Sequence, residues 1–279
     1  MEYLVPILLF AGLGLLAGVL LTVFSRVFAV KQDERAEKIR EVLPGANCGA
    51  CGYAGCDAYA EAVAKGAKTN ACVPGGQKVA EKISAIMGVS AEAVQPKKAA
   101  VRCNGNCSVT SDKYIYAGES TCAACDMLYS GRSSCTSGCL GFGDCAKVCP
   151  YGAISVKDGV AVVDRSLCTG CGLCVKVCPN GLIETFPEDQ KVEVLCSSVF
   201  NTKATLAICK NGCIACRKCE RLCPNDAIHV KDNHASVDHE KCINCGTCVE
   251  GCPTHCIHFL DENGCCRKRL RKAVPSGVF

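Results

Sequence analysis

The chain opens on an unbroken apolar run that nothing later in it matches. From Leu4 to Ser25, the 22 residues LVPILLFAGLGLLAGVLLTVFS carry no charge and no polar face at any helical period. At ~1.5 Å per residue such a helix crosses the roughly 30 Å of hydrocarbon in a bilayer. The run therefore predicts a transmembrane anchor within residues 1–30. A cleaved secretory signal would start basic, have a shorter apolar core and end in small residues, whereas the only early charge here is Glu2. No Lys or Arg precedes the span, while Arg26, Lys31, Arg35, Lys38 and Arg40 follow it. That asymmetry predicts a single-pass protein of the cell membrane with its C-terminal bulk on the cytoplasmic side. Gly14 and Gly18 have G-x-x-x-G spacing, a weak signal because glycine is common in such helices.

Beyond the anchor the pattern changes. KQDERAEKIREVL has Ile39, Val42 and Leu43 at helical spacing and stops at Pro44-Gly45, which predicts a short amphipathic helix. DAYAEAVAKG predicts another, capped by Asp57 and closed by Gly66. Two later stretches, AISV…VAVVD and AIHV…ASVD, read as β-hairpins.

Composition then decides what these elements serve. There are 29 Cys among 279 residues and no Trp. A disulfide scaffold of that density belongs to small secreted domains, whereas this chain is long, its bulk is expected in a reducing compartment, and its cysteines fall in tight C-x-x-C groups. Metal thiolate sites are the expectation. CGACGYAGC with a later cysteine supplies Cys48, Cys51, Cys56 and Cys72, four thiolates for one [4Fe-4S] cube. Zinc also takes four cysteines, but this spacing lacks the paired C-x-x-C of a zinc ribbon. CTGCGLCVKVCP (Cys168, Cys171, Cys174, Cys178), CIACRKCERLCP (Cys213, Cys216, Cys219, Cys223) and CINCGTCVEGCP (Cys242, Cys245, Cys248, Cys252) match C-x₂-C-x₂-C-x₃-C-P in full. In two-cluster ferredoxins the fourth cysteine of each motif serves the other cluster.

A shift of 74 positions lays Cys139 on Cys213, Cys145 on Cys219, Cys149 on Cys223 and Cys168–Cys178 on Cys242–Cys252 without a gap. Two tandem ferredoxin-like units follow. Crossed ligation predicts Cys149 with Cys168, Cys171 and Cys174; Cys252 with Cys213, Cys216 and Cys219; and Cys223 with Cys242, Cys245 and Cys248. The first motif of the first unit is incomplete: Phe142 stands where Cys216 does. Cys135, four residues before Cys139 and followed by Ser137-Gly138, is expected to complete a set of Cys135, Cys139, Cys145 and Cys178, with Phe142 as an apolar shield. Cys209 occupies the matching place in the second unit, where Cys216 makes it unnecessary. A shared structural or extra-cluster role for Cys135 is therefore the alternative. By the same shift Cys122 falls on Cys196, whereas Cys103, Cys107 and Cys125 find no counterpart. Cys103, Cys107, Cys122 and Cys125 form two close pairs that could hold a sixth cluster, with buried free thiols as the other possibility. Cys256, Cys265 and Cys266 have no assignment.

The expected fold is α+β: an anchor at 1–30, a small α-rich 4Fe-4S domain at 31–90, a linker with extra cysteines at 91–121, and ferredoxin-like units at 122–195 and 196–279, the last ending in a basic tail. An anchor joined to CGACGYAGC…C and tandem ferredoxin motifs resembles the iron–sulfur B subunits of the Rnf complexes, membrane-bound ferredoxin:NAD⁺ oxidoreductases that export Na⁺ or H⁺. The resemblance covers essentially the whole chain. It implies at least five [4Fe-4S] clusters, reduced soluble ferredoxin as electron donor, and flavin-bearing and membrane-embedded subunits as partners. The chain itself has no G-x-G-x-x-G opening a βαβ unit and no P-loop, so it has no visible nucleotide site. No nucleic-acid partner is expected. The iron–sulfur subunit of a membrane-bound hydrogenase or formate dehydrogenase would share most of these features, and a zinc-stabilised binding module would share the cysteines. Formal charge is +4, but five clusters at about −2 each would bring the holo-protein to roughly −6. Docking of an acidic ferredoxin would then need a local patch such as Arg267, Lys268, Arg269, Arg271 and Lys272. A solvated or membrane-skimming tail is the plainer use of those charges.

Overall fold

The computed structural model describes residues 4–27 and 33–260. Cys265, Cys266 and the basic tail lie outside the described residues. Helix α1 (Leu4–Val27) is the one described helix long and apolar enough to cross a membrane, and its side chains from Ile7 to Phe24 are all exposed. Its one hydroxyl there, Thr22, donates to the Gly18 carbonyl at 2.7 Å, the local bond that lets such a group sit in hydrocarbon.

The next three helices, α2 (Glu34–Val42), α3 (Cys56–Ala64) and α4 (Gly76–Met87), enclose a core of Ile39, Tyr59, Val63 and Ile83, each at most 1% exposed. Asp33 caps α2 by accepting from the Arg35 N–H. Asp57 is not the cap of α3. The cap is Gly55, and Asn47 accepts the Cys56 N–H at 2.8 Å from nine residues upstream, which leaves Asp57 in the first turn beside Arg40. Gly66 does end the helix, in a left-handed conformation.

The remainder is mixed α and β. Strand β1 (Lys97–Val101) is followed by α5 (Cys122–Asp126), α6 (Asp144–Lys147), β2 (Ile154–Lys157), β3 (Val160–Val163), α7 (Leu173–Val177) and β4 (Ile183–Pro187). Then come β5 (Val192–Val194), α8 (Thr202–Ile208), α9 (Lys218–Leu222), β6 (Ile228–Lys231), β7 (His234–Val237), α10 (Thr247–Gly251) and β8 (Ile257–Phe259). The expected hairpins are present: β2 pairs antiparallel with β3, and β6 with β7. Two further antiparallel pairs, β1 with β4 and β5 with β8, are not foreshadowed by any pattern in the residues. The first draws residues 97–101 out of the expected linker and onto the sheet of the first repeat.

These pairings set the repeat in register. Val101 faces Ile183 and Val194 faces Ile257, so β1 corresponds to β5 at an offset of 93, while everything from Cys135 onward corresponds at 74. The first repeat therefore carries nineteen extra residues between its edge strand and Cys135, and α5 lies within them. Cys103, not Cys122, is the structural counterpart of Cys196, a match the ungapped shift could not find. Ala100, Phe186, Leu195 and Leu260 form one small buried cluster drawn from both repeats.

Each cysteine loop turns through left-handed residues two and four positions after its first cysteine: Gly141 and Gly143, Gly170 and Gly172, Ala215 and Arg217, Asn244 and Gly246. At Gly141 an added Cβ would meet the Gly159 carbonyl oxygen at 2.6 Å, whereas the matching residue in the second repeat, Ala215, already carries one. Gly141→Ala is expected to lower stability by at least ~1–2 kcal/mol, from the left-handed penalty alone, and Ala215→Gly by none. Guanidinium unfolding of the anaerobic holo-protein checks this; a loss no larger than that penalty would show that packing against Gly159 adds nothing, and no loss would refute the prediction.

Candidate iron–sulfur centres

Sulfur atoms gather in this chain around voids rather than around points. Among the described residues no group of three or more His, Cys, Asp or Glu could hold a single metal ion. A lone zinc, with bonds of about 2.3 Å, would draw its sulfurs to about 3.8 Å of one another. Instead, cysteines from separate loops line common cavities. This donor set, all thiols with backbone N–H groups aimed at several of them, fits [4Fe-4S] cubes.

In the N-terminal domain, Cys48, Cys51, Cys56 and Cys72 line one cavity, as expected. Tyr59 fixes the last of them. Its hydroxyl donates to Lys68 O at 2.9 Å and accepts from Ala71 N at 3.3 Å, strapping down the loop just before Cys72. Burial first, and then Cys56, Cys51 and Cys48 as ionised neighbours, push the Cys72 thiol up to about 11. Without a compensating cation Cys72 would stay protonated.

The crossed sets also come together. Cys174 is pushed up to about 12 by burial, then by Cys168, Cys171 and Cys149, its expected companions. Cys213, Cys216, Cys219 and Cys252 line one cavity, and Cys223, Cys242, Cys245 and Cys248 another. N–H groups reach the sulfurs from Ala99 and Gly170 to Cys168 at 3.4 Å, from Leu182 to Cys178 at 3.4 Å and from Ala227 to Cys223 at 3.2 Å. Cys256, unassigned from sequence, is buried beside one set, its sulfur 3.6 Å from that of Cys252. The thiol hydrogen bond from Cys256 holds Cys252 well below the ordinary thiol range, at about 5.

The cavity holding Cys139, Cys145 and Cys178 is lined by Cys122, not by Cys135. Helix α5 delivers it from within the nineteen extra residues. Thr121 caps α5 by accepting from Ala124 N, and Asp144, at the start of α6, accepts from the N–H groups of Cys122 at 2.8 Å and Ala123 at 3.2 Å. Asp144 is matched by Lys218 in the second repeat, so this anchorage exists only where Phe142 has displaced a loop cysteine. Phe142 packs on the buried cluster of Cys122, Cys125 and Leu140, against Tyr116 and beneath the Arg132 guanidinium. The signal for Cys122 was the polar T-C-A-A-C helix start, but nothing in sequence spacing tied it to Asp144.

Cys135 lines a different cavity, together with Cys103, Cys196 and Cys209. Cys107 is exposed and Cys125 fully buried, and they do not join Cys103 and Cys122 in one set. The cysteine groups adjoin in series. Cys48 acts on Cys171, Cys174 on Cys145, and Cys219 on Cys248 as neighbouring charges. Between these, Cys139 N donates to Cys103 Sγ at 3.3 Å and Cys213 N to Cys196 Sγ at 3.2 Å.

Three family models match the chain: "Putative Fe-S cluster" over residues 43–74, "4Fe-4S binding domain" over 161–184 and "4Fe-4S dicluster domain" over 212–256. The chain is 44% identical to the B subunit of the proton-translocating ferredoxin:NAD(+) oxidoreductase complex of Clostridium ljungdahlii, over 81% of each chain. It is 43% identical to the B subunit of the ion-translocating oxidoreductase complex of Methanosarcina acetivorans, over 83% of this chain and 88% of that one. With the B subunit of the Na(+)-translocating ferredoxin:NAD(+) oxidoreductase complex of Acetobacterium woodii it shares 40% identity, over 85% of this chain and 72% of that one.

The Asp144 anchorage gives a test of how Cys122 is held. Asp144→Ala and Cys122→Ser are each expected to remove about four irons per chain and one signal from the EPR spectrum of the reduced protein. Full iron content in both variants would show that the cavity of Cys139, Cys145 and Cys178 does not depend on α5.

Proposed function

Because the chain belongs to the B-subunit family of the ion-translocating ferredoxin:NAD⁺ oxidoreductase (Rnf) complexes and is an iron–sulfur electron-transfer subunit, we propose that it takes electrons from reduced soluble ferredoxin and relays them toward flavin-bearing and membrane-embedded subunits. The serial adjacency of the cysteine groups carries this reading: Cys48 bears on Cys171, Cys174 on Cys145 and Cys219 on Cys248 as neighbouring charges, and Cys139 and Cys213 each donate an N–H to a cysteine sulfur lying between the two repeats. When bound, the clusters supply one-electron transfer.

The residues divide as follows. Cys48, Cys51, Cys56 and Cys72 hold one cluster in a domain spanning roughly residues 31–90. The remainder forms two tandem ferredoxin-like units, the first beginning at β1 rather than at residue 122. Support for the tandem reading is the recurrence of α6, the β2–β3 hairpin, α7 and β4 as α9, β6–β7, α10 and β8. Cys149 with Cys168, Cys171 and Cys174, and Cys122 with Cys139, Cys145 and Cys178, serve the first unit. Cys213, Cys216 and Cys219 with Cys252, and Cys242, Cys245 and Cys248 with Cys223, serve the second. That makes five clusters. Helix α1 tethers the protein to the membrane, and the basic residues after it favour a cytoplasmic location for the domains, where a soluble ferredoxin can reach them.

The protein's own residues have three tasks in this scheme. They bury the thiolates against water, supply N–H donors to sulfur, and hold neighbouring sets close enough for transfer. No span or nucleotide motif in the chain serves ion export or NAD⁺ binding, and both are assigned to partner subunits.

Anaerobically purified full-length chain in detergent is expected to show visible absorption that bleaches with reduced ferredoxin, with no added nucleotide. Bleaching by dithionite but not by reduced ferredoxin would place the entry point for ferredoxin on another subunit. Chain lacking residues 1–32 is expected to leave the membrane fraction while keeping its iron; recovery in the membrane fraction when expressed alone would refute the tether.

A further inference from the structure

We propose that Cys103, Cys135, Cys196 and Cys209 hold a sixth [4Fe-4S] cluster at the interface of the two repeats, each repeat contributing one equivalent pair. The inference rests on the five-cluster reading above and adds a site to it.

The four cysteines line one cavity. Their sulfurs are close across the interface. A Cβ placed on Gly105 would lie 3.6 Å from the sulfurs of both Cys103 and Cys209, and Cys196 and Cys209 both act on Cys135 as neighbouring charges. The remaining lining includes Thr110, whose buried hydroxyl oxygen has no hydrogen-bond partner within the protein. Two hydrogen bonds close the cavity across the repeats: Lys210 N donates to Val109 O at 3.0 Å, and the Asn211 side-chain amide donates to Asn104 O at 3.2 Å.

The symmetry of the donors separates this site from a chance meeting of thiols. Cys103 and Cys196 each follow the edge strand of their repeat, after the equivalent bonds Arg102 N to Leu182 O and Leu195 N to Cys256 O, both 2.7 Å. Each accepts the N–H of the equivalent ligand in its own unit, Cys139 at 3.3 Å and Cys213 at 3.2 Å. Cys135 and Cys209 are themselves 74 residues apart, and each closes the same tight turn, from Gly138 N and Gly212 N to the cysteine carbonyl. Each repeat thus contributes the same pair, and the two pairs make the four thiolates that a cube requires. The two N–H···S bonds join this site to one cysteine set on either side, so it stands between the clusters of the first unit and those of the second.

The decisive experiment counts metal in full-length, anaerobically purified chain. Wild type is expected to hold about 24 irons with matching acid-labile sulfide and no zinc, against about 20 for five cubes. Cys209→Ser and Cys135→Ser are expected to cost the same, about four irons each, and to remove the same component from the Mössbauer spectrum. Cys209 belongs to none of the other five sets, so its variant cannot lose iron through them. Wild-type iron near 20 with an unaffected Cys209→Ser variant overturns the sixth site and leaves the five-cluster reading intact. Iron far below 20, or one equivalent of zinc, overturns the sixth site; the former also removes the five-cluster reading. If the serine variants do not accumulate, the wild-type count decides alone.

Discussion

Repulsion among buried thiolates governs this molecule. Two like charges ~4–6 Å apart repel by about 3–4 kcal/mol at an effective dielectric near 20, and each site gathers four. Cys72, Cys174 and Cys219 are all pushed well above the ordinary thiol range, first by burial and then by their own companions. A chain with such sites has little else to hold it. Its helices in the repeats are four to seven residues long and its sheets have two strands, below the length at which such elements are stable alone. The cysteines themselves are core residues, packed with Val192, Ile228 and Ile257 in one repeat and with Ile154, Val163 and Ile183 in the other. The iron that neutralises the thiolates is on this account also what the hydrophobic core is built around.

Much of this was legible in the residues. The apolar α1, the amphipathic α2 and the two hairpins follow from apolar periodicity alone, and the grouping of the crossed cysteines around shared cavities from motif spacing, because a loop of fixed length wraps three cysteines about one volume. The N-terminal set was equally plain. What spacing could not reveal is pairing between strands distant in the chain. β1 and β5 are too short to announce themselves, and without their register the offset of 93 is invisible. Cys103 then has no counterpart, Cys122 is matched to Cys196 by coincidence, and Cys135 becomes the nearest spare thiol to the gap at Phe142. Asp144 is the physical reason that choice differs from the fold: a carboxylate at the start of α6 captures the two leading N–H groups of α5 and carries Cys122 to the gap. The helix cap at Gly55 was hidden for a similar reason, since its side-chain oxygen comes from Asn47.

The two repeats solve one problem differently. The second keeps a complete loop motif and tolerates Ala215, Arg217 and Asn244 in left-handed conformations. The first has Phe142 at that loop position, packed on Cys122, Cys125 and Leu140, and brings Cys122 from the extra residues into the same cavity as Cys139, Cys145 and Cys178. Cys256 marks a further divergence. It stands where the first repeat has Leu182, and its thiol lies against Cys252, so the matching sets in the two repeats sit in unlike hydrogen-bonding surroundings.

The cavity shared by the repeats also imposes an order in time. Cys103 and Cys135 leave the ribosome well before Cys196 and Cys209, and neither pair encloses a volume without the other. Every other set on the chain is complete within one domain or one repeat and can mature as soon as that segment is made. This one has no existence until both halves have been synthesised and docked, which makes it a record, in each finished molecule, that the docking took place.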